Sequence, residues 1–263
     1  MSSGKDGIMD NPNLSKKNIV KQQTTDKAEI AQFSEHSEKW WDPEGPLKPL
    51  HHMNPTRIKI IANNLADHFS RDLVQTQPFK GLSLCDIGCG GGLATEPFAR
   101  LGFNVTGIDP VNSSINVAKQ HAKNQHLQIN YKLGAPEDAG IFSQRYDAVL
   151  ALEVIEHVTN IPSFIQSLAK ATAPGGLVII STINRTSKSM LFGKIMAEYV
   201  LNWVPKGTHS WAKFVKPSEL AKQMRQNNLI IHNLKGIEYN LSTSAWTESN
   251  DVSINYIIFA APQ

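Results

Sequence analysis

The sequence predicts an α/β fold, a mostly parallel sheet with helices on both faces, and three observations predict it. Apolar runs of strand length alternate with stretches of helical spacing from residue 83 onward. A Gly-rich turn follows the first of those runs directly. The dipeptide Gly175-Gly176 precedes another apolar run, LVIIST. Strands and helices alternating at this spacing pair in parallel, because each crossover helix carries the chain back to the same edge of the sheet.

Residues 1–25 are polar and unpatterned and read as a disordered head. From Asp26, DKAEIAQFSEHSEKWW has helical spacing (Ile30, Phe33, Ser37, Trp40/Trp41) and stops at Asp42-Pro43. The loop DPEGPLKPLHHMNP follows, with four prolines, and Asn54-Pro55 reads as N-cap and first-turn proline of a helix to about Phe69. SLCDI (83–87) is the first strand, followed by the Gly-rich turn and a helix over about 93–101. NVTGID (104–109) is the second strand and 113–124 a helix; LQINYKL is the third strand and YDAVLAL (146–152) the fourth. A helix over 162–171, the strand LVIIST and a helix over 217–227 come next, and LIIHNLKGIEYN and VSINYIIFA complete seven strands.

A chain of 263 residues with 41% apolar and 19% charged residues is ordinary for a globular protein, which excludes wholesale disorder. The net charge of +3 is too small to imply nucleic acid by itself. No apolar run approaches the ~20 residues of a spanning helix. The first 27 residues lack the apolar middle of a secretory signal, and they carry no Arg but three Asp, unlike a mitochondrial presequence. A cytoplasmic enzyme is the expectation. Cys85 and Cys89 flank the Gly-rich turn without zinc-site spacing and read as small packing residues.

LCDIGCGGG (84–92) sits at a strand-to-turn junction, where Gly88, Gly90 and Gly92 allow close approach of a ligand. A dinucleotide fingerprint would need a sixth-position glycine, and Leu93 stands there. Asp86 precedes the first glycine by two residues. A carboxylate there repels a pyrophosphate but suits the cationic amino end of S-adenosylmethionine, which has no phosphate. Asp109 ends the next strand, 21 residues after Gly88, where it can accept both ribose hydroxyls. Glu137, in the Ala-Pro-Glu-Asp run after the third strand, could meet the adenine edge. A tight turn is the plain alternative for the glycines alone.

This combination resembles the class I S-adenosylmethionine methyltransferases over roughly residues 55 to 260. The resemblance implies a Rossmann-like domain over 71–263, a seven-stranded sheet with an antiparallel last strand, and N-terminal helices over 26–70 closing on the cofactor. Three blocks narrow it: FSEHSEKWWDPEGPLKPLHHMNPTRIKII, ALEVIEHV (151–158) and the stretch 181–220. Together they look like the ubiquinone-biosynthesis O-methyltransferases, which methylate a catechol oxygen of polyprenylated rings, 2-polyprenyl-6-hydroxyphenol and 3-demethylubiquinol. By that resemblance Arg57, Gly88, Asp109 and Leu152 contact the cofactor.

Methyl transfer from a sulfonium needs nucleophile and methyl held in line at about 3–3.5 Å. A phenol of pKa about 10 must also lose its proton, to a general base or with help from a divalent metal. Glu153-Val154-Ile155-Glu156-His157, at the end of the fourth strand, offers both routes. The resemblance makes Glu153, Glu156 and His157 the candidate ligands of a hard ion such as Mg²⁺. The alternative is that the glutamates are first-turn acids and that His157 packs or acts as the base. His51, His52 and His209 are further candidates near substrate or structural hydrogen-bonders. Trp40 and Trp41 line a substrate slot or pin the first helix onto the sheet, the second being preferred.

SMLFGKIMAEYVLNWV (189–204) lies outside the strand–helix alternation, in an inserted segment 185–216, and carries an amphipathic stripe that includes Phe192, Met196 and Trp203. Residues 181–222 hold seven basic side chains against two acidic ones. Stripe and charge suit peripheral contact with the inner membrane, where a polyprenyl substrate resides; a lid or core element is the alternative. Rival functions are methylation of a soluble small phenol, or a noncatalytic adaptor in a quinone-biosynthesis complex. A nucleic-acid substrate is disfavoured, since no basic tract with interleaved aromatics and no base-flipping motif occurs.

Overall fold

The structure is a computed structural model that describes residues 24–25, 31, 34, 37–195, 211–240 and 242–263, with the backbone alone for 192–195. Strands β1 (Ser83–Ile87), β2 (Asn104–Asp109), β3 (Ile129–Leu133), β4 (Tyr146–Leu152), β5 (Thr172–Ile183), β6 (Leu229–Asn240), β7 (Ala245–Ser249) and β8 (Asn255–Pro262) form one sheet in the order β3-β2-β1-β4-β5-β8-β6-β7. β1 to β5 pair in parallel, while β8 runs antiparallel between β5 and β6. The α/β expectation holds. Beyond the seven expected strands, AWTES forms an eighth, pairing antiparallel with β6 at the sheet edge.

Period-two alternation decides which face each strand residue fills. Ala148, Leu150 and Leu152 of β4, Leu177 and Ile179 of β5 and Ile257 and Phe259 of β8 pack on helix α1 (Lys48–Phe69) through Ile60, Ile61 and Leu65. Their neighbours Val149, Ala151, Val178, Ile180, Tyr256 and Ile258 face the other way. They meet Phe164, Ile165 and Leu168 of the helix Ile161–Ala171 and Leu220 and Met224 of the helix Pro217–Gln226. The first of these two helices starts where Asn160 Oδ1 accepts the Ser163 N–H at 3.1 Å, with proline in the first turn. Both cysteines are buried and unbridged.

One N-terminal expectation is corrected. Asn54-Pro55 does not start a helix: α1 already begins at Lys48, with Pro49 in its first turn and Pro55 inside it. Proline at 49 supplies the fixed φ that a first turn accepts, so most of the stretch read as a loop over 42–55 is helical. Asn54 is thereby freed from capping and its buried amide turns inward. The helix expected from Asp26 is described only in part, its end being a 3-10 turn at Ser37–Lys39. Nearly all of the 1–25 head and residues 196–210 of the inserted segment lie outside the described residues.

β1 has β2 on one side and β4 on the other, so the chain reverses its direction of winding there. Ligands bind such sheets beyond the carboxyl ends of the strands at that point. The glycine turn and the acidic turn both occupy this edge.

Candidate active site

The Gly88 and Cys89 N–H groups both donate to the Ile108 carbonyl, at 2.8 and 3.2 Å, folding the turn back over β2. Gly88 has φ 72°, and a methyl group added there would collide with the Val154 side chain. Glycine at 88 therefore lets the ligand loop press against the acidic turn. Asp109 organises the loop from below: its Oδ2 accepts from Gly90 N–H at 2.9 Å and its Oδ1 from Val111 N–H at 2.8 Å. Burial pushes Asp109 up to about 6, against the pull of those two bonds.

Trp40 lies over Gly90 and Gly91, with Nε1 3.3 Å from Ser114 Oγ. Trp41 donates to the Gly91 carbonyl at 3.0 Å and stacks on His121 at 3.5 Å and 8°. The two indoles pin the N-terminal segment onto the glycine loop, a refinement of the packing role expected for them.

Asp86 is buried and accepts from Thr95 Oγ1 at 2.6 Å. Burial lifts it to about 6, while Thr95 and Arg57 act in the opposite direction. Arg57 is 4% exposed. Its Nε and Nη2 donate to Asn54 Oδ1 at 3.2 and 2.7 Å, and Nη1 reaches Glu153 Oε1 at 3.5 Å. Burial lowers its pKa, and the charges of Glu153, Asp86 and Glu156 raise it.

Leu152 ends β4, buried and paired with Ser181. Glu153 then takes φ 56°, a left-handed conformation unusual for a branched-free but bulky acid and a sign of local constraint. Its carboxylate accepts from Ser181 Oγ at 2.8 Å and from Asn255 Nδ2 at 3.3 and 3.4 Å. Glu156 and His157 belong to a 3-10 turn, Ile155–His157. Glu156 Oε2 accepts from Thr182 Oγ1 at 2.9 Å, whereas Oε1 is buried with no hydrogen-bond partner. Burial first, and the neighbouring Glu153 second, hold the Glu156 carboxyl well above the usual carboxylate range. A cavity of about 240 Å³ opens beside Glu156 and His157, lined by Ile155, Phe214 and Val215 together with the charged Arg185, Lys213 and Glu219.

The structure thus brings Arg57, Asp86, Glu153 and Glu156 into one electrostatic cluster and sets Gly88, Gly90 and Asp109 against it. Glu137 is engaged elsewhere: its two oxygens accept the Thr24 N–H and hydroxyl at 2.5 and 2.8 Å, and the Thr24 carbonyl accepts Thr159 N–H at 2.9 Å. His51 is spent on the Trp40 carbonyl at 2.8 Å, His52 lies exposed on α1, and His209 lies outside the described residues. Ser181, Thr182 and Asn255 were not anticipated. The signal available was a polar residue at the carboxyl-edge end of an otherwise apolar strand. Among the described residues, no three His, Cys, Asp or Glu side chains are grouped to hold a metal ion, Glu153, Glu156 and His157 included.

A family model described as a methyltransferase domain matches residues 51–234. The chain is 44% identical over 237 residues to a ubiquinone biosynthesis O-methyltransferase of Bradyrhizobium sp. (strain ORS 278), covering 90% of this chain and 93% of that one. It is 45% identical to that of Pelagibacter ubique (88% and 95% covered) and 44% identical to the mitochondrial one of Arabidopsis thaliana (88% and 72%). Among solved structures, a magnesium protoporphyrin IX methyltransferase from Synechocystis PCC 6803 with bound S-adenosylmethionine superposes with TM-score 0.57 at 17% identity, covering 89% and 97%. An S-adenosylmethionine-dependent methyltransferase from Clostridium acetobutylicum gives 0.59 at 10% identity, covering 88% and 98%. Those two likenesses concern the fold alone.

Proposed function

This chain belongs to the ubiquinone biosynthesis O-methyltransferases, and from that premise we propose that it methylates a catechol hydroxyl of polyprenylated rings, with the acidic turn after β4 managing the proton. It is an S-adenosylmethionine-dependent O-methyltransferase of ubiquinone biosynthesis. The observation that carries the finer reading is the contact of Gly88 with Val154, which sets the cofactor loop beside the acidic turn at one edge of the sheet.

In this reading Asp86 faces the amino end of the cofactor, Gly88 and Gly90 let it approach the backbone, and Arg57 and Leu152 border it. Asp109 takes the ribose hydroxyls. A carboxylate offers about four lone-pair sites, so two N–H bonds leave room for two hydroxyls. Glu137 would have to exchange or share its Thr24 bonds to meet the adenine edge. The sulfonium supplies the methyl group; the protein must orient the ring oxygen in line with it and remove a proton. Glu156 and His157 belong to the turn that follows β4, and a carboxyl held at raised pKa is a better match to a phenol than an ordinary one.

Two carboxylates and an imidazole suit a divalent ion in donor type, and Glu156 Oε1 is a buried acceptor without a partner, but among the described residues the three side chains are not grouped to hold one. Binding Mg²⁺ through Glu153, Glu156 and His157 would require these side chains to be drawn together, with Glu153 released from Ser181 and Asn255.

Peripheral attachment to the cytoplasmic face of the inner membrane completes the reading. No helix among the described residues is long and apolar enough to cross a membrane. Met190, Leu191 and Trp211, on either side of residues 196–210, are 44%, 59% and 43% exposed, with Lys188, paired to Asp251, nearby in sequence. Apolar side chains beside basic ones favour an anionic interface. Methyl transfer to a short-chain prenylated catechol, compared with its unprenylated counterpart with and without anionic liposomes, tests this. The prenylated ring should be preferred and liposomes should sediment the enzyme; equal turnover and no liposome binding would favour a soluble phenol.

A further inference from the structure

Two acceptor atoms near Glu153 are buried without a hydrogen-bond partner, Glu156 Oε1 and Asn255 Oδ1. The first belongs to the turn already described. The second is on β8, opposite Ile183 of β5, and the antiparallel course of β8 brings its first residue to the edge where the parallel strands end. Asn255 is 5% exposed. Its Nδ2 donates to both oxygens of Glu153, which fixes the sense of the amide, since the reverse would set an acceptor against a carboxylate. Oδ1 is left buried and without a hydrogen-bond partner. Buried amide oxygens left open in a folded protein are exceptions, filled by an ordered water or by a ligand's donor.

The reaction brings such a donor. A catechol carries two adjacent hydroxyls; one loses its proton and accepts the methyl group, and the other keeps its O–H throughout. An amide can donate to a carboxylate at one end and accept from a hydroxyl at the other, which neither a carboxylate nor an alkyl group can do. We propose that Asn255 orients the substrate, Nδ2 holding Glu153 while Oδ1 accepts a hydrogen bond from the ring hydroxyl that is not methylated. This rests on the O-methylation of a catechol argued above. It makes Asn255 a determinant of which of two adjacent oxygens faces the sulfonium, and of preference for rings that carry both.

Calorimetry with S-adenosylhomocysteine present tests it, using a short-chain prenylated catechol and its analogue with fluorine replacing the retained hydroxyl. The wild type should bind the catechol about 10- to 100-fold more tightly than the fluoro analogue, the scale of one buried hydrogen bond. Asn255→Ala should weaken the catechol alone and bring the ratio close to one, both with Mg²⁺ and with chelator. The ratio within one preparation is independent of the folded fraction, and Asn255→Ser, which keeps a smaller acceptor, serves if the alanine variant does not fold. An unchanged ratio, equal weakening of both ligands, or a change seen only with Mg²⁺ would overturn the proposal, the last because Asn255 would then act through Glu153. Turnover read in the same samples separates the two ideas: absence of methyl transfer by the wild type would sink the reaction, while the affinity ratio still decides the role of Asn255.

Discussion

Arg57 Nη1 lies 3.5 Å from Glu153 Oε1 with both side chains largely withdrawn from water, so one ion pair joins helix α1 to the acidic turn. The same guanidinium feels Asp86 and Glu156. Arg57→Met should leave these carboxylates without their balancing charge. The expected loss is about 3 kcal/mol of folding stability, the low end for a broken buried pair because the contact is long. S-adenosylmethionine affinity should fall with it. Urea unfolding and calorimetry check this, and a variant as stable as the wild type would contradict it.

Gly88→Ala combines a left-handed φ of 72° with a collision against Val154. We expect a loss of about 1–3 kcal/mol and weaker binding of S-adenosylhomocysteine. Val154→Ala in the same chain should restore the steric part and leave the conformational part. Thermal melts of the single and double variants measure both, and a neutral Gly88→Ala would remove the argument that the loop and turn are pressed together.

Much of this arrangement was legible in the residues. SLCDI, NVTGID and YDAVLAL coincide with β1, β2 and β4 residue for residue, because apolar runs between polar or glycine boundaries leave little choice of register. AWTES escaped notice: an edge strand with exposed residues carries no apolar alternation. Asn54-Pro55 has the chemistry of a helix start, yet Pro49 already begins α1, and Asn54 holds Arg57 instead. That Asp86, Gly88 and Asp109 gather at the ends of adjacent strands could be read from spacing; their roles toward a cofactor are proposals. Asn255, Ser181 and Thr182 carry only a weak signal, polar residues at the ends of apolar strands, and their meaning comes from strands that meet only in the sheet. The bond between Thr24 and Glu137 spans 113 residues and has no local signature.

Asp86 and Asp109 both titrate near 6 in the folded chain, above the ordinary 3.8. A raised carboxyl stabilises the fold fully below its unfolded value and loses that contribution as pH rises through 6. On their account the ligand-free protein should be less stable at pH 7 than at pH 5. Cofactor binding has the opposite sign if the cationic amino end pairs with an ionised Asp86, as proposed. Affinity for S-adenosylmethionine should therefore fall as pH drops below 6, by up to about tenfold per pH unit. Calorimetry from pH 7.5 to 5 should show this, and Asp86→Asn should flatten it; a flat wild-type profile would argue against the Asp86 assignment.

If Glu153, Glu156 and His157 hold a divalent ion, chelator should abolish turnover and Mg²⁺ should restore it. Glu156→Gln should raise the Mg²⁺ concentration needed by at least about tenfold, the scale of one lost charged contact. Full activity of metal-stripped enzyme would leave His157 and Glu156 to take the proton unaided.

The most direct measurement follows a labelled methyl group from S-adenosylmethionine to a short-chain prenylated catechol, with the product identified by mass spectrometry and NMR. The account predicts one new methyl ether on a ring hydroxyl with the wild type, and a rate reduced by at least about a hundredfold in Asp109→Ala when the cofactor is subsaturating, the scale of two lost charged hydrogen bonds. A wild type that binds S-adenosylmethionine yet leaves both hydroxyls unmethylated, or places the methyl on carbon, would contradict it.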